Sequence, residues 1–146
     1  MSRSSVAQIL VGLLAGAVMP FQAGINAKLR QSLGSPLQAA LVSFFVGTVA
    51  LAAVVVMAPA PWPRSGLDRA PWWAWTGGFL GAFFISASVV LSPRLGALAL
   101  VALVVTGQLA AALALDHFGL LAFPKVLISS GRIVGAALLV VGLLLI

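Results

Sequence analysis

Apolar residues run along this chain in long blocks, and polar residues collect in the short gaps between them. The blocks cover about 6–28, 37–57, 72–91, 97–115 and 126–146, each near the roughly 20 residues a helix needs to cross hydrocarbon. The gaps carry helix punctuation. In "RQSLGSP" (30–36), Gly34 marks a stop and Ser35-Pro36 the next start. "APAPWPRSGLDRAP" (58–71) is rich in proline, holds Arg64, Asp68 and Arg69, and reads as the longest aqueous loop. "WWAW" (72–75) suits the headgroup level. "SPRLG" (92–96) predicts a tight turn, and "DHFGLLAFP" (116–124) separates the last two helices. The pattern predicts an all-α integral membrane protein, a bundle of five transmembrane helices in one domain over 1–146, with the lipid bilayer as its first partner.

Composition agrees. The 146 residues are 62% hydrophobic and 7% charged, with mean hydropathy +1.21, where soluble domains are near half apolar and a quarter charged. Arg3 ahead of an apolar run also fits a secretory signal. The run reaches Lys28, however, and polar residues replace a cleavage pattern, so a retained first helix is expected. With no cysteine there is no disulfide and no thiolate nucleophile. One histidine, two aspartates and neither glutamate nor tyrosine make catalysis, a metal site or a cofactor unexpected.

The formal charge of +6 does not point to nucleic acid, because the basic residues are scattered at segment ends. Five helices put the termini on opposite faces. Arg3, Arg64, Arg69 and Lys125, with Arg132 if it reaches that surface, then oppose Lys28, Arg30 and Arg94. That is a weak positive-inside bias: it allows a cytoplasmic N-terminus, or insertion both ways round.

A few residues do not belong in lipid. Gln8, Gly12, Ala15, Met19, Gln22 and Asn26 follow at spacings of four and three, which sets them on one face of the first helix. Pro20 cannot donate to the Gly16 carbonyl, so a kink or opening is expected there. Gln22 and Asn26 either line a cavity or hydrogen-bond to neighbouring helices, contacts averaging about 0.6 kcal/mol in membranes. Gln108 stands alone near the centre of the fourth helix, and the same two readings apply. Ser43 shares a face with Gly47, and bonding to its own helix backbone is the simpler reading.

The pairs Gly12/Gly16, Gly77/Gly81 and Gly131/Gly135 permit close helix approach. Asp116 closes the fourth helix and Arg132 lies inside the fifth apolar run, where a lone cation is costly. A pair between them is expected, acting either as a gate or as an interfacial salt bridge with Arg132 snorkelling. His117, beside it, is the residue type that changes charge near neutral pH.

In this order "GAVMPFQAGINAKL", "LGSPLQAALVSFFVGT", "WWAWTGGFLGAFF", "SPRLGAL", "TGQLAAALALDHFGLL" and "GRIVGAALLVVG" resemble the YdcZ-type family of half-size proteins in the drug/metabolite transporter superfamily. The resemblance covers nearly the whole chain. It implies a five-helix exporter of the bacterial inner membrane that pairs with a second copy, in the inverted manner of the small multidrug resistance transporters. Those use a glutamate in their first helix; Gln22 and Asn26 stand here instead, so their cation/proton exchange is not carried over.

The expected function is therefore a secondary transporter of an unidentified small molecule, working as an antiparallel homodimer by alternating access. Gln22, Asn26, Ser43 and Gln108 would line the path, with Asp116, Arg132 and His117 at its gate. The rival is a non-transporting membrane subunit whose amides only hold helices together. A channel is disfavoured because no filter-like segment is visible.

Overall fold

The computed structural model describes residues 3–58 and 70–146, with side chains from residue 6 onward. Arg64, Asp68 and Arg69, read above as part of the aqueous loop, lie outside the described residues, as does the Arg3 side chain. Helices α1 (Arg3–Leu33), α2 (Pro36–Met57), α3 (Gly77–Phe118) and α4 (Ser130–Leu144) make up the fold, with a 3-10 turn at Trp72–Thr76 leading into α3. Two compact units divide the chain, Met1–Arg94 and Leu95–Ile146.

In the first unit, α1 and α2 meet through a two-residue joint written in the sequence. Gly34 adopts φ +73, a conformation that favours glycine, and its N–H donates to the Arg30 carbonyl at 2.8 Å. Ser35 then caps α2, accepting from the Gln38 N–H at 3.4 Å, and Pro36 takes a position where its missing N–H is harmless. The first helix thus runs to Leu33 rather than ending near 28, and it continues through Pro20.

The core of this unit is small. Ala39 and Ala40 of α2 meet Ile85 and Val89 of α3, with Leu29 and Phe84 packed alongside. Two alanines at 0% and 5% exposure let the backbones approach closely. Most large apolar side chains point outward instead: Phe21 is 72% exposed, Phe45 67% and Val56 78%. Water would not tolerate such a surface, whereas lipid would. α1, α2 and the run through α3 are long and apolar enough to cross a membrane.

α3 covers 42 residues, about 63 Å of helix at 1.5 Å per residue and twice a bilayer core. It does not stay helical throughout. Gly96 takes φ 76 and ψ 169, a region open essentially to glycine alone. The tight turn expected over 92–96 is therefore a break at one residue, with helix continuing past Pro93.

In the second unit, α4 begins at Ser130 rather than near 126. Ser129 caps it, its Oγ accepting from the Arg132 N–H at 3.4 Å. At 15 residues, or roughly 22 Å, α4 is shorter than the hydrocarbon core.

Candidate functional site

Near the Gly34-Ser35 joint, Leu29 of α1 and Ala39 and Ala40 of α2 pack against Ile85 and Val89 of α3, and a gap adjoins that packing. The gap is a partly open cleft of about 230 Å³. Gln22 of α1 lines it, with Ser43, Phe44, Gly47, Thr48 and Leu51 of α2 and Ile85 of α3. Ile85 joins the two regions, since it also belongs to the core. Positions 43–51 straddle the midpoint of α2, so the cleft lies near the centre of that apolar span.

Two of the four residues read from the sequence as path-lining, Gln22 and Ser43, are brought together here. Among the described residues no hydrogen bond engages the Gln22, Ser43 or Thr48 side chains within the protomer. The contrast with other hydroxyls is informative. Ser88 Oγ donates to the Phe84 carbonyl at 2.8 Å, and Thr106 Oγ1 to the Ala102 carbonyl at 2.8 Å, the back-bonding expected of such residues inside helices. Three polar groups facing one cleft and left available are a different arrangement.

The amide stripe of α1 goes progressively inward. Gln8, Gly12 and Ala15 are exposed and Met19 and Gln22 half-buried, while Asn26 is 4% exposed. Asn26 therefore sits in the packed end below the cleft, outside its lining. One turn further, Arg30 Nη1 donates to the Val89 carbonyl at 3.2 Å. Sequence reasoning gave Arg30 no such part. Pro93, four residues after Val89, has no N–H to offer that carbonyl, and the guanidinium takes the place of the missing donor. Counting back four from a mid-helix proline would have exposed the vacancy, though not which side chain fills it.

Gly81 also contributes at this level. A Cβ there would meet the Phe44 ring at 3.2 Å, so the missing side chain lets α3 lie against a wall of the cleft. Gly12, Gly16, Gly77, Gly131 and Gly135 face open space in the protomer.

The second unit holds the remaining candidates. Asp116 and Arg132 form a salt bridge, at 22% and 34% side-chain exposure. Because α4 starts late, Arg132 lies in its first turn, where the helix dipole disfavours a cation. The Asp116 carboxylate offsets that charge. Arg132 Nη1 also donates to the Val126 carbonyl at 3.2 Å, and the Val126 N–H donates to the Asp116 carbonyl at 2.8 Å. The loop is thus tied at both ends by one aspartate and one arginine. Its tightest point is Gly119, at φ +63 and with Lys125 Cβ 3.1 Å from where a side chain would start. His117 Nδ1 is buried without a hydrogen-bond partner among the described residues, and its ring meets Phe118 edge-on at 4.9 Å. Gln108 is exposed in the protomer.

Comparison with known proteins bears on this arrangement. The family described as "Putative inner membrane exporter, YdcZ" matches residues 7–145. This chain belongs to that family. It is 30% identical over 137 residues to the "Inner membrane protein YdcZ" of Escherichia coli (strain K12), covering 89% of this chain and 87% of that protein. No solved structure matches. The protein is thus an inner membrane protein, and the resemblance read from its motifs holds across their whole extent. The description of the YdcZ family is one of export and not of catalysis.

Proposed function

We propose that this chain is a secondary transporter that exports a small molecule, and that the cleft beside Gln22, Ser43 and Thr48 is one protomer's share of the path. The observation that carries this reading is the set of three available polar side chains around a cavity at mid-span of an apolar helix. In hydrocarbon such groups need partners, and substrate and water are the natural ones. Transporter sites commonly lie near the bilayer midplane, where a change of tilt exposes them to either side.

We assign the protomer five crossings: α1, α2, the two parts of α3 on either side of Gly96, and α4 with its apolar flanks. A cleft of about 230 Å³ is below the roughly 300 Å³ at which drug-sized ligand pockets begin. A second copy enlarges it. We assign the working form as an antiparallel homodimer, supported by the near balance of basic residues between faces and by the exposed amide of Gln108. In that dimer Gln108 adds to the lining, and the Asp116–Arg132 pair beside His117 controls access at one face.

The test is a thermal-shift screen of metabolites and cationic drugs on detergent-solubilised protein, followed by flux of each hit in proteoliposomes. Gln22→Leu is expected to cut flux about tenfold or more, the loss of roughly one well-placed polar contact, with unfolding temperature unchanged. A variant that unfolds earlier but still carries solute would assign the amide to packing and favour the non-transporting subunit.

A further inference from the structure

We infer that the cleft selects small uncharged solutes that carry both hydrogen-bond donors and acceptors on one side and an apolar surface on the other. The inference rests on the reading that the cleft is where substrate binds, and it names the class of that substrate. Its polar lining is one carboxamide, Gln22, and two hydroxyls, Ser43 and Thr48, each able to donate and accept. The remaining wall is apolar, from Phe44, Leu51 and Ile85. Among the described residues that line it, none is ionisable. Arg30, the charged group further along the Gln22 stripe, is two turns away on α1, about 12 Å, and donates to the Val89 carbonyl. A cation or an anion entering the cleft would give up hydration for neutral dipoles, with no counter-charge among the described residues that line it. That loss outweighs what hydroxyls and an amide return to an ion, whereas a neutral amide or alcohol exchanges water for equivalent partners.

Three probes of similar size separate charge from fit: benzamide, benzamidinium and benzoate. Their binding to full-length protein in nanodiscs is measured by saturation-transfer NMR, with protein-free discs subtracted for partition into lipid. Benzamide is expected to bind about tenfold or more tighter than either ion, the penalty for an unpaired buried charge. Gln22→Glu places a carboxylate in the same volume and is expected to move benzamidinium ahead of benzamide. Ser43→Asp is the second variant, with the same reversal expected. Either ion binding wild type as tightly as benzamide overturns the charge rule while leaving the cleft a site. No binding of any probe to wild type or to the two variants removes the site itself, and the proposed function with it.

Discussion

Pro93 deprives the Val89 carbonyl of its helical donor, and Arg30 supplies another from a different helix. The pairing makes a prediction at the scale of two residues. Arg30→Met is expected to destabilise the protein by roughly 1–2 kcal/mol, a charge-assisted bond discounted for partial exposure. With Pro93→Ala also present, the helix N–H returns and most of that loss disappears. A double-mutant cycle of unfolding in detergent reads the coupling directly; additive losses would show that the guanidinium does not serve that carbonyl. The free hydroxyls of the cleft behave in the opposite way. Ser43→Ala and Thr48→Val are expected to change stability by less than about 0.5 kcal/mol and to weaken benzamide binding. Gln22 and Ser43 were legible in the sequence because polar residues inside apolar blocks have few explanations. Thr48 and Arg30 were not. Threonine in a helix ordinarily bonds its own backbone, and the partner of Arg30 is a main-chain atom that no residue letter names.

Joints between elements were legible where the chemistry is local. Gly34, Ser35 and Pro36 each state a conformational requirement, and the α1–α2 joint follows from them. The start of α4 does not, because Val126 belongs to an apolar run that extends the helical pattern. Its N–H and carbonyl are instead taken by Asp116 and Arg132, contacts that exist only once the loop has closed. Gly96→Ala and Gly119→Ala are each expected to lower stability by about 1–3 kcal/mol, since both glycines hold positive φ. Gly119→Ala adds a tight contact with Lys125 Cβ. Circular dichroism melts of the two variants check this, and wild-type melting would mean that the joints are not as described. The Asp116–Arg132 pair is different in kind. Half-open to the surface, it contributes on the order of 0.2–1 kcal/mol, so Asp116→Asn is expected to leave the melt nearly unchanged. If the pair acts as a gate, the variant will alter flux.

The whole molecule is turned outward toward lipid. Its large apolar residues cover the surface, and among the described residues the buried apolar side chains are Ala39, Ala40, Ile85 and Val89 in the first unit and Leu100 in the second. An exterior of this sort was evident from composition, and the family from the order of the motifs along the chain. The cleft was not, because helices must part at a particular level to make one. At this scale the prediction is a pair of inverted copies. Reporters fused to the C-terminus are expected on both sides of the membrane, and Gln108→Leu is expected to abolish flux while dimers persist. All reporters on one side would exclude the inverted pair, and monomers from Gln108→Leu would make the amide structural. The central claim, that solute and water reach a cleft inside the hydrocarbon span, has a direct test because the chain lacks cysteine. N-ethylmaleimide is uncharged and reacts with thiolate, which forms in water and not in lipid. In proteoliposomes Ser43→Cys is predicted to be labelled rapidly, while Phe45→Cys, 67% exposed but facing acyl chains, stays inert. Equal labelling of the two, or none of Ser43→Cys, would contradict the account.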